Sequence, residues 1–405
     1  MIPIRRKDCV GSGAKANVHK ANETIVVKVP NSSTIAEGNS PFTQEAKFYN
    51  CVLGEKERCP DIVECFIASP DFIFLSYCCN STLAHRLFKY QEREIRPNGR
   101  PGKLIGVKEY EDPALIARWI QQLTSALAFM EKLGYTHNDL HPRNCLLDEN
   151  LNLKLSDFDQ ATTIGQFLES LMEPWAIKLT SGPLRNTYGL TSARTEQFAV
   201  GTFLFTMVYG HEPYEDIHLE EDPIELRRRF RAFDFPELNR HEVFDEFISA
   251  CWHNVYPNMA LVAYDIKRKT KDIASPPRNK AVDHLKEKNA CIALIQDSFG
   301  FRHLHKPLFF DYNKPLLKMI FSPTSSLTNP FSCHMYNNYT QKLLFGTYIG
   351  TKWRFIDYDK AILTRPCHKY LLQAVWDGDV HEKKGFCRCI RAGHEIQPNS
   401  TKFIS

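Results

Sequence analysis

The sequence predicts an α+β protein in which a small strand-rich unit is followed by a larger, mainly helical unit and then by an extension of different character. Three observations predict it. Residues 1 to about 90 alternate short β-branched or aromatic runs, such as Ile25-Val26-Val27 and Phe72-Ile73-Phe74-Leu75, with turn-rich segments and one helical stretch around Phe42 to Tyr49. Further on, Leu115, Trp119, Ile120, Leu123, Leu127 and Met130 recur at the three-to-four-residue spacing of an amphipathic helix, and Phe198 to Tyr209 reads as a second, buried helix. At Ser275-Pro276-Pro277 this pattern breaks; a helical stretch from Val282 to Ile295 and aromatic strand-like runs such as Phe345 to Tyr358 follow. The expected divisions are 1–80, 81–275 and 276–405, with residues 91–112 a polar surface insert whose Pro97, Gly99, Pro101 and Gly102 give it loop composition.

Composition narrows the function. Hydrophobic residues at 43% and charged residues at 24% are ordinary for a folded globular chain and argue against disorder. A net charge of +4 over 405 residues is too weak to imply a nucleic-acid or membrane-surface partner. Met1-Ile2-Pro3-Ile4-Arg5-Arg6 lacks the apolar run of a signal peptide, and no apolar stretch is long enough to cross a bilayer as a helix. Neither secretion nor a membrane span is expected. The thirteen cysteines are an odd number, and pairs such as Cys78-Cys79 sit in apolar stretches, so most read as buried thiols of a reducing, cytoplasmic or nuclear, compartment. No feature indicates an oligomeric state.

The densest chemistry lies in His137-Asn138-Asp139-Leu140-His141-Pro142-Arg143-Asn144-Cys145-Leu146-Leu147, followed by Asp157-Phe158-Asp159. An aspartate, an asparagine five positions on, and a second aspartate beyond the strand pair Leu146-Leu147 and Leu153 to Leu155 can converge at one edge of a hairpin. Three oxygen donors then share a pocket, which suits magnesium, a hard cation that keeps its remaining positions for phosphates and water. A turn beside a capped strand is the ordinary alternative. The block resembles the catalytic loop and metal-binding motif of protein kinases, written H-R-D-x-x-x-x-N and D-F-G. That resemblance implies that Asp139 accepts the hydroxyl proton while Asn144 and Asp157 hold Mg2+.

Upstream, Val10-Gly11-Ser12-Gly13-Ala14-Lys15-Ala16-Asn17-Val18 resembles the family's glycine-rich loop, with Ala16 where a third glycine is expected. Gly11 and Gly13 would let backbone amides approach the ATP phosphates. Lys28 lies in the apolar strand Ile25 to Val29, and burying a lysine is costly unless an anion pairs with it. Glu45, preferred over Glu37 for its apolar flanks, stands where the kinase resemblance puts that anion, so Lys28 and Glu45 join Asp139 as catalytic candidates. Phe72 to Cys78 is similar to the fifth strand entering the hinge. Leu75 is then the gatekeeper, the Cys78 backbone faces adenine, and Val10, Val18, Val26 and Leu146 form apolar walls, although each is equally explicable as core.

In the second unit, Thr195-Glu196-Gln197-Phe198-Ala199-Val200-Gly201 resembles the start of the long buried kinase helix, with glutamate for aspartate at 196. Gly210-His211-Glu212-Pro213-Tyr214 is similar to its ending, and Cys251-Trp252 to a segment near the domain end. The resemblance covers residues 1 to about 272 and implies a bilobal protein-kinase-like fold, with a small β-rich N-lobe, a larger helical C-lobe and a C-terminal extension. Some of the wording is similar to kinase-like proteins of filamentous fungi.

Several positions depart from the pattern. Asn138 replaces an arginine that reads a phosphorylated loop, and asparagine cannot make that bidentate contact, so activity is expected not to depend on loop phosphorylation by that route. His141 stands where a lysine is usual. Asp159 replaces the glycine of D-F-G; it costs about 1 kcal/mol if φ is positive there, and it either repels the phosphates or points to solvent. The A-P-E element is missing, with Leu184 where its glutamate belongs, and its usual arginine partner near Pro257 is absent too, with Met259 in that vicinity. His137, the tempting general base, reads by resemblance as a structural histidine behind the metal-binding turn.

The expected function is ATP- and Mg2+-dependent phosphoryl transfer to a protein hydroxyl, serine or threonine in preference to tyrosine. Two alternatives stay open. One is a kinase-fold binding module with weak or no turnover. The other is a small-molecule phosphotransferase, because aminoglycoside and choline kinase relatives show D-L-H and D-[FW]-[DE], as Asp139-Leu140-His141 and Asp157-Phe158-Asp159 do. In the extension, Cys333-His334, Cys367-His368 and Cys387-Arg388-Cys389 with His394 lack the regular spacings that place zinc ligands tetrahedrally.

Overall fold

A computed structural model describes residues 8–31, 34, 41–277 and 282–298 and, beyond them, the backbone of strands between 317 and 395; side chains are described through residue 296. The chain divides into two compact units, Met1–Phe301 and Arg302–Ser405.

The first unit opens with β1 (Cys9–Ser12), β2 (Ala16–Lys20), β3 (Ile25–Pro30), α1 (Thr43–Gly54), β4 (Cys65–Ser69) and β5 (Phe72–Ser76), the strands forming an antiparallel sheet in the order β1-β2-β3-β5-β4. Strand periodicity explains how the sheet is covered. In β3, Ile25 and Val27 share one face while Val26 and Lys28 share the other, and in β5 Phe74 alternates with Ile73 and Leu75. Val26, Ile73 and Leu75 pack with Phe48 and Tyr49 of α1 in the main core. Ile25, Val27, Phe66 and Phe74 form a separate apolar layer on the opposite face.

α2 (Leu83–Lys89) leads into β6 (Gln91–Ile95) and β7 (Pro101–Val107). The insert read as loop is thus an antiparallel hairpin; Pro97, Gly99, Pro101 and Gly102 cluster around the turn, where Gly99 has φ of 75°. The hairpin is fastened to the helical lobe. Gln91 donates to the Gly210 carbonyl at 2.6 Å, Arg93 pairs with Glu215, and Lys103 pairs with Glu221 at 2.8 Å.

α3 (Pro113–Lys132) starts at Asp112, whose side chain accepts the Ala114 N–H, with Pro113 in the first turn where its missing N–H costs nothing. Of its predicted apolar stripe, Trp119, Ile120, Leu123, Leu127 and Met130 are buried, and Leu115 packs half-buried against the same core. The catalytic-loop region follows as β8 (Tyr135–Thr136), β9 (Cys145–Leu147), β10 (Leu153–Leu155) and β11 (Thr162–Thr163), with β9 and β10 paired as expected. α4 (Ala193–Tyr209) is buried all round apart from Arg194, as a helix without a polar face must be. Gly201 permits its close approach to α6, because a Cβ there would lie 2.9 Å from the Trp252 ring. α5 (Pro223–Arg231), α6 (Glu242–Trp252) and α7 (Met259–Lys269) complete the lobe.

The helix expected after residue 282 exists as α8 (His284–Ser298), and it belongs to the first unit. Cys291 is fully buried in the layer formed by Ile25, Val27, Phe66 and Phe74, with Ala290, Leu294 and Ile295 packed against it. Arg58 and His284 share Glu64 at 2.6 Å each, and Thr24 donates to Glu287 at 3.0 Å. The compact unit therefore runs past the division expected at residue 275. No helix among the described residues is long and apolar enough to cross a membrane.

Among the described residues of the second unit are two antiparallel sheets. One joins Leu317–Phe321, Ser332–Asn337, Lys342–Ile349 and Lys352–Asp357 in that order; the other joins Gln373–Asp377, Phe386–Arg391 and His394–Glu395. The side chains of Cys333, His334, Cys367, His368, Cys387, Cys389 and His394, weighed above against zinc, lie outside the described residues.

Candidate active site

A cleft of about 760 Å³ runs between the β-sheet lobe and the helical lobe. It is lined by Val10, Gly11, Gly13, Val18, Val26, Lys28, Glu45, Leu75 and Cys78 from the first lobe, and by Asp139, Asn144, Leu146 and Asp157 from the second. The sequence-derived residues thus converge in one cavity, of a size ordinary for a nucleotide or other small ligand.

Lys28 is its electrostatic centre. The ammonium lies 2.7 Å from Glu45 Oε2 and 2.7 Å from Asp157 Oδ1. Burial works against its charge, but the two carboxylates outweigh that and hold its pKa above the ordinary lysine range. Period-two alternation aims it at the cleft, and α1 brings Glu45, 1% exposed, to meet it. Phe158 holds that helix in place, packed 4.4 Å from the Phe48 ring and 5.2 Å from Tyr49.

Asp139 is set by three neighbours. Asn144 donates from Nδ2 to its backbone oxygen at 2.8 Å and to Oδ2 at 2.9 Å, and His141 Nε2 stands 3.5 Å from Oδ1. Burial raises the carboxyl pKa, yet His141, His137 and Asn144 more than offset it and hold Asp139 below the usual carboxylate range. His137 is fully buried. Its Nε2 donates to the Ser156 carbonyl at 3.0 Å, so Nδ1 is the acceptor for the Asp139 N–H at 3.3 Å, and burial lowers its pKa. It supports the turn from behind and does not line the cleft.

The departures from the kinase pattern acquire physical content. Positive φ falls on Asp157, at 63°, and Asp159 is not among the left-handed residues, so the backbone penalty expected at 159 does not arise. Asp159 instead pairs across the cleft with Lys15 of the glycine-rich loop at 3.2 Å. Asn138 also has φ of 63°, which asparagine tolerates. Its side chain donates to Gln160 and Thr162 at 3.1 and 2.8 Å, its N–H reaches Glu196 at 3.2 Å, and Ser170 donates to its carbonyl. These contacts hold the segment after Asp157 against the catalytic loop. Further along, buried Glu173 accepts the Tyr188 hydroxyl at 2.8 Å and lies 3.5 Å from Arg227. This ties the segment to α5 where no A-P-E glutamate exists. Lys15, Ser170 and Glu173 were missed in the sequence, since their partners lie far along the chain or in irregular segments.

The fold agrees with comparison to known sequences. The profile described as protein tyrosine and serine/threonine kinase matches residues 4–258, more than half of the chain. This chain belongs to that family. Among its relatives, CBL-interacting serine/threonine-protein kinase 12 of Arabidopsis thaliana is 26% identical over 222 residues, covering 51% of this chain and 40% of the relative. CBL-interacting serine/threonine-protein kinase 5 of the same plant is 32% identical over 138 residues, 33% of this chain and 30% of the relative. CBL-interacting protein kinase 11 of Oryza sativa subsp. japonica is 32% identical over 125 residues, 29% and 23%. The chain spans less than half the length of each of these relatives.

Magnesium is implied by the family, and the donors fit it. Among the described residues no three of His, Cys, Asp and Glu converge. With its Nδ2 occupied by Asp139, Asn144 keeps its side-chain oxygen available next to the Asp157 carboxylate side of the kinase cleft. Two protein oxygens with phosphates and water filling the rest is the ordinary magnesium arrangement.

Proposed function

We propose that the chain is an ATP- and Mg2+-dependent kinase acting on serine or threonine hydroxyls of protein substrates in a cytoplasmic or nuclear setting. The nine described cysteines are free thiols, in keeping with that setting. The observation that carries the proposal is the placement of Asp139 and the formed Lys28–Glu45 pair in one cleft. Asp139, kept ionised by His141 and Asn144, orients the acceptor hydroxyl and takes its proton. Lys28, fixed by Glu45, holds phosphate oxygens of ATP, and the Gly11 to Gly13 backbone closes over them. Val18, Val26 and Leu146 flank the adenine, with the Cys78 backbone at its edge. Asp157 and Asn144 would hold magnesium, which would neutralise phosphate charge.

The test is turnover of magnesium-ATP on generic protein substrates, with Asp139→Asn as control. Loss of the base is expected to lower transfer by about 100- to 10,000-fold. Equal rates in the two proteins would end the kinase reading. Nucleotide binding without transfer would make the chain a binding module, and transfer confined to small metabolites would make it a small-molecule phosphotransferase.

A further inference from the structure

The chain carries a net charge of only +4, yet four cations gather around Tyr188 in the segment between Asp157 and α4. Lys178 Nζ lies 5.2 Å from the Tyr188 ring centroid, and Arg194 donates to the Tyr188 carbonyl. Arg227 reaches Glu173 Oε2, the oxygen that accepts the tyrosine hydroxyl. Arg231, in the last turn of α5, donates to the Asn186 side chain two residues before Tyr188. Glu173 is the carboxylate at the base of this group, buried and matched by Arg227. That leaves Lys178, Arg194 and Arg231, all partly buried, without an ion pair among the described residues. The Nε of Arg231 is buried and has no acceptor.

The location matters as much as the charge. The same segment begins beside the catalytic loop, where Ser170 donates to Asn138 and the Trp175 ring stands 6.2 Å from His141. It is then pinned to α4 by the hydrogen bond from Thr202 to the Pro174 carbonyl, at 2.8 Å. Lys178 follows Trp175 by three residues, so the cationic group lies on the segment that leaves the catalytic loop beside His141.

We propose that Lys178, Arg194 and Arg231 form a docking subsite for an anionic side chain of the protein substrate, a phosphorylated residue or a carboxylate. The proposal rests on the kinase reading above. Guanidinium and ammonium groups that have no carboxylate partner recognise phosphate and carboxylate oxygens through charge-assisted hydrogen bonds. A neutral side chain gains little there, and a basic one is repelled. The phosphate reader missing at Asn138 is thereby replaced, at a different place, by a reader of the substrate.

The test uses the full chain and a serine peptide series in which aspartate, phosphoserine, alanine or lysine is placed in turn at each position flanking the acceptor. Binding is followed by fluorescence anisotropy and transfer by steady-state kinetics. At the best position, anionic peptides are expected to be preferred over alanine by about 3- to 5-fold, chiefly in KM, with phosphoserine above aspartate if a phosphate is the natural occupant. In the Lys178→Gln, Arg231→Gln double variant that ratio is expected to collapse to within about 2-fold. Turnover of the alanine peptide reports that the variant is folded. A preference that survives the double substitution, or wild-type protein indifferent to peptide charge, overturns the subsite and leaves the kinase reading standing. Anionic-peptide binding that depends on Lys178 and Arg231 without any transfer supports the subsite and removes the kinase reading.

Discussion

Lys28→Met removes the cation that Glu45 and Asp157 share, and the structure fixes what should follow. Asp157 is 43% exposed and can turn to solvent, but Glu45 is 1% exposed and its Oε1 has no hydrogen-bond partner. The substitution strands a buried carboxylate, a class of change that costs about 3 to 5 kcal/mol. At about 2 °C per kcal/mol for a unit of this size, Tm should fall by roughly 6 to 10 °C. Burial pushes the Glu45 pKa up and Lys28 opposes it, so without Lys28 the carboxyl lies well above its unfolded value. A raised folded pKa contributes stability below the unfolded value, near 4.3, that is lost as pH rises through the folded one. The deficit should therefore be small at pH 5 and grow towards pH 8. Scanning calorimetry across that range measures it, and Lys28→Met with Glu45→Leu should recover most of the loss by removing both charges. A single variant as stable as wild type at pH 8, or a double variant no better than the single, would refute the reasoning.

Two further outcomes follow from buried or cross-cleft carboxylates. Glu196 is buried, and burial outweighs the hydrogen bonds from the His137 and Asn138 N–H groups to push its pKa up to about 7. Its stabilising contribution is complete below the unfolded value of 4.5 and lost as pH rises to about 7, so Glu196→Gln should gain on wild type by about 1 kcal/mol per pH unit across that window; parallel Tm curves would contradict this. Asp159→Asn frees Lys15, 55% exposed, from its partner. A pair this open is worth about 0.2 to 1 kcal/mol, so ATP should bind about 1.4- to 5-fold more tightly, and weaker binding would show that Asp159 serves the ligand directly.

What the sequence reveals tracks how local the determining contact is. Asp139, Asn144 and Asp157 were legible because a turn and one short hairpin bring them together within nineteen positions. Lys28 was legible because a lysine in an apolar strand demands an anion. The hairpin of β6 and β7 was read as loop because its prolines and glycines dominate the composition, although Asn98-Gly99 is a hairpin turn signal. Lys15 and Asp159 are 144 residues apart, and no periodicity links them. The same holds for α8: its helical pattern is visible, but its burial against Ile25 and Phe74 is a tertiary fact that only the folded chain displays.

The docking of α8 has a mechanical side. The Arg118 side chain holds the Pro276 carbonyl of the helical lobe, while His284 is held by Glu64 of the sheet lobe. Eight peptide units separate these two anchors, a contour of at most about 26 to 29 Å. The chain length between the two anchors therefore limits how far they can separate. The cleft can widen only until that length is taut or α8 peels from the sheet, and peeling exposes Ile25, Val27, Phe66 and Phe74 to water. That apolar layer lies on the face of the sheet opposite the one that carries Val26 and Lys28, so its exposure carries a hydrophobic cost separate from any contact in the cleft.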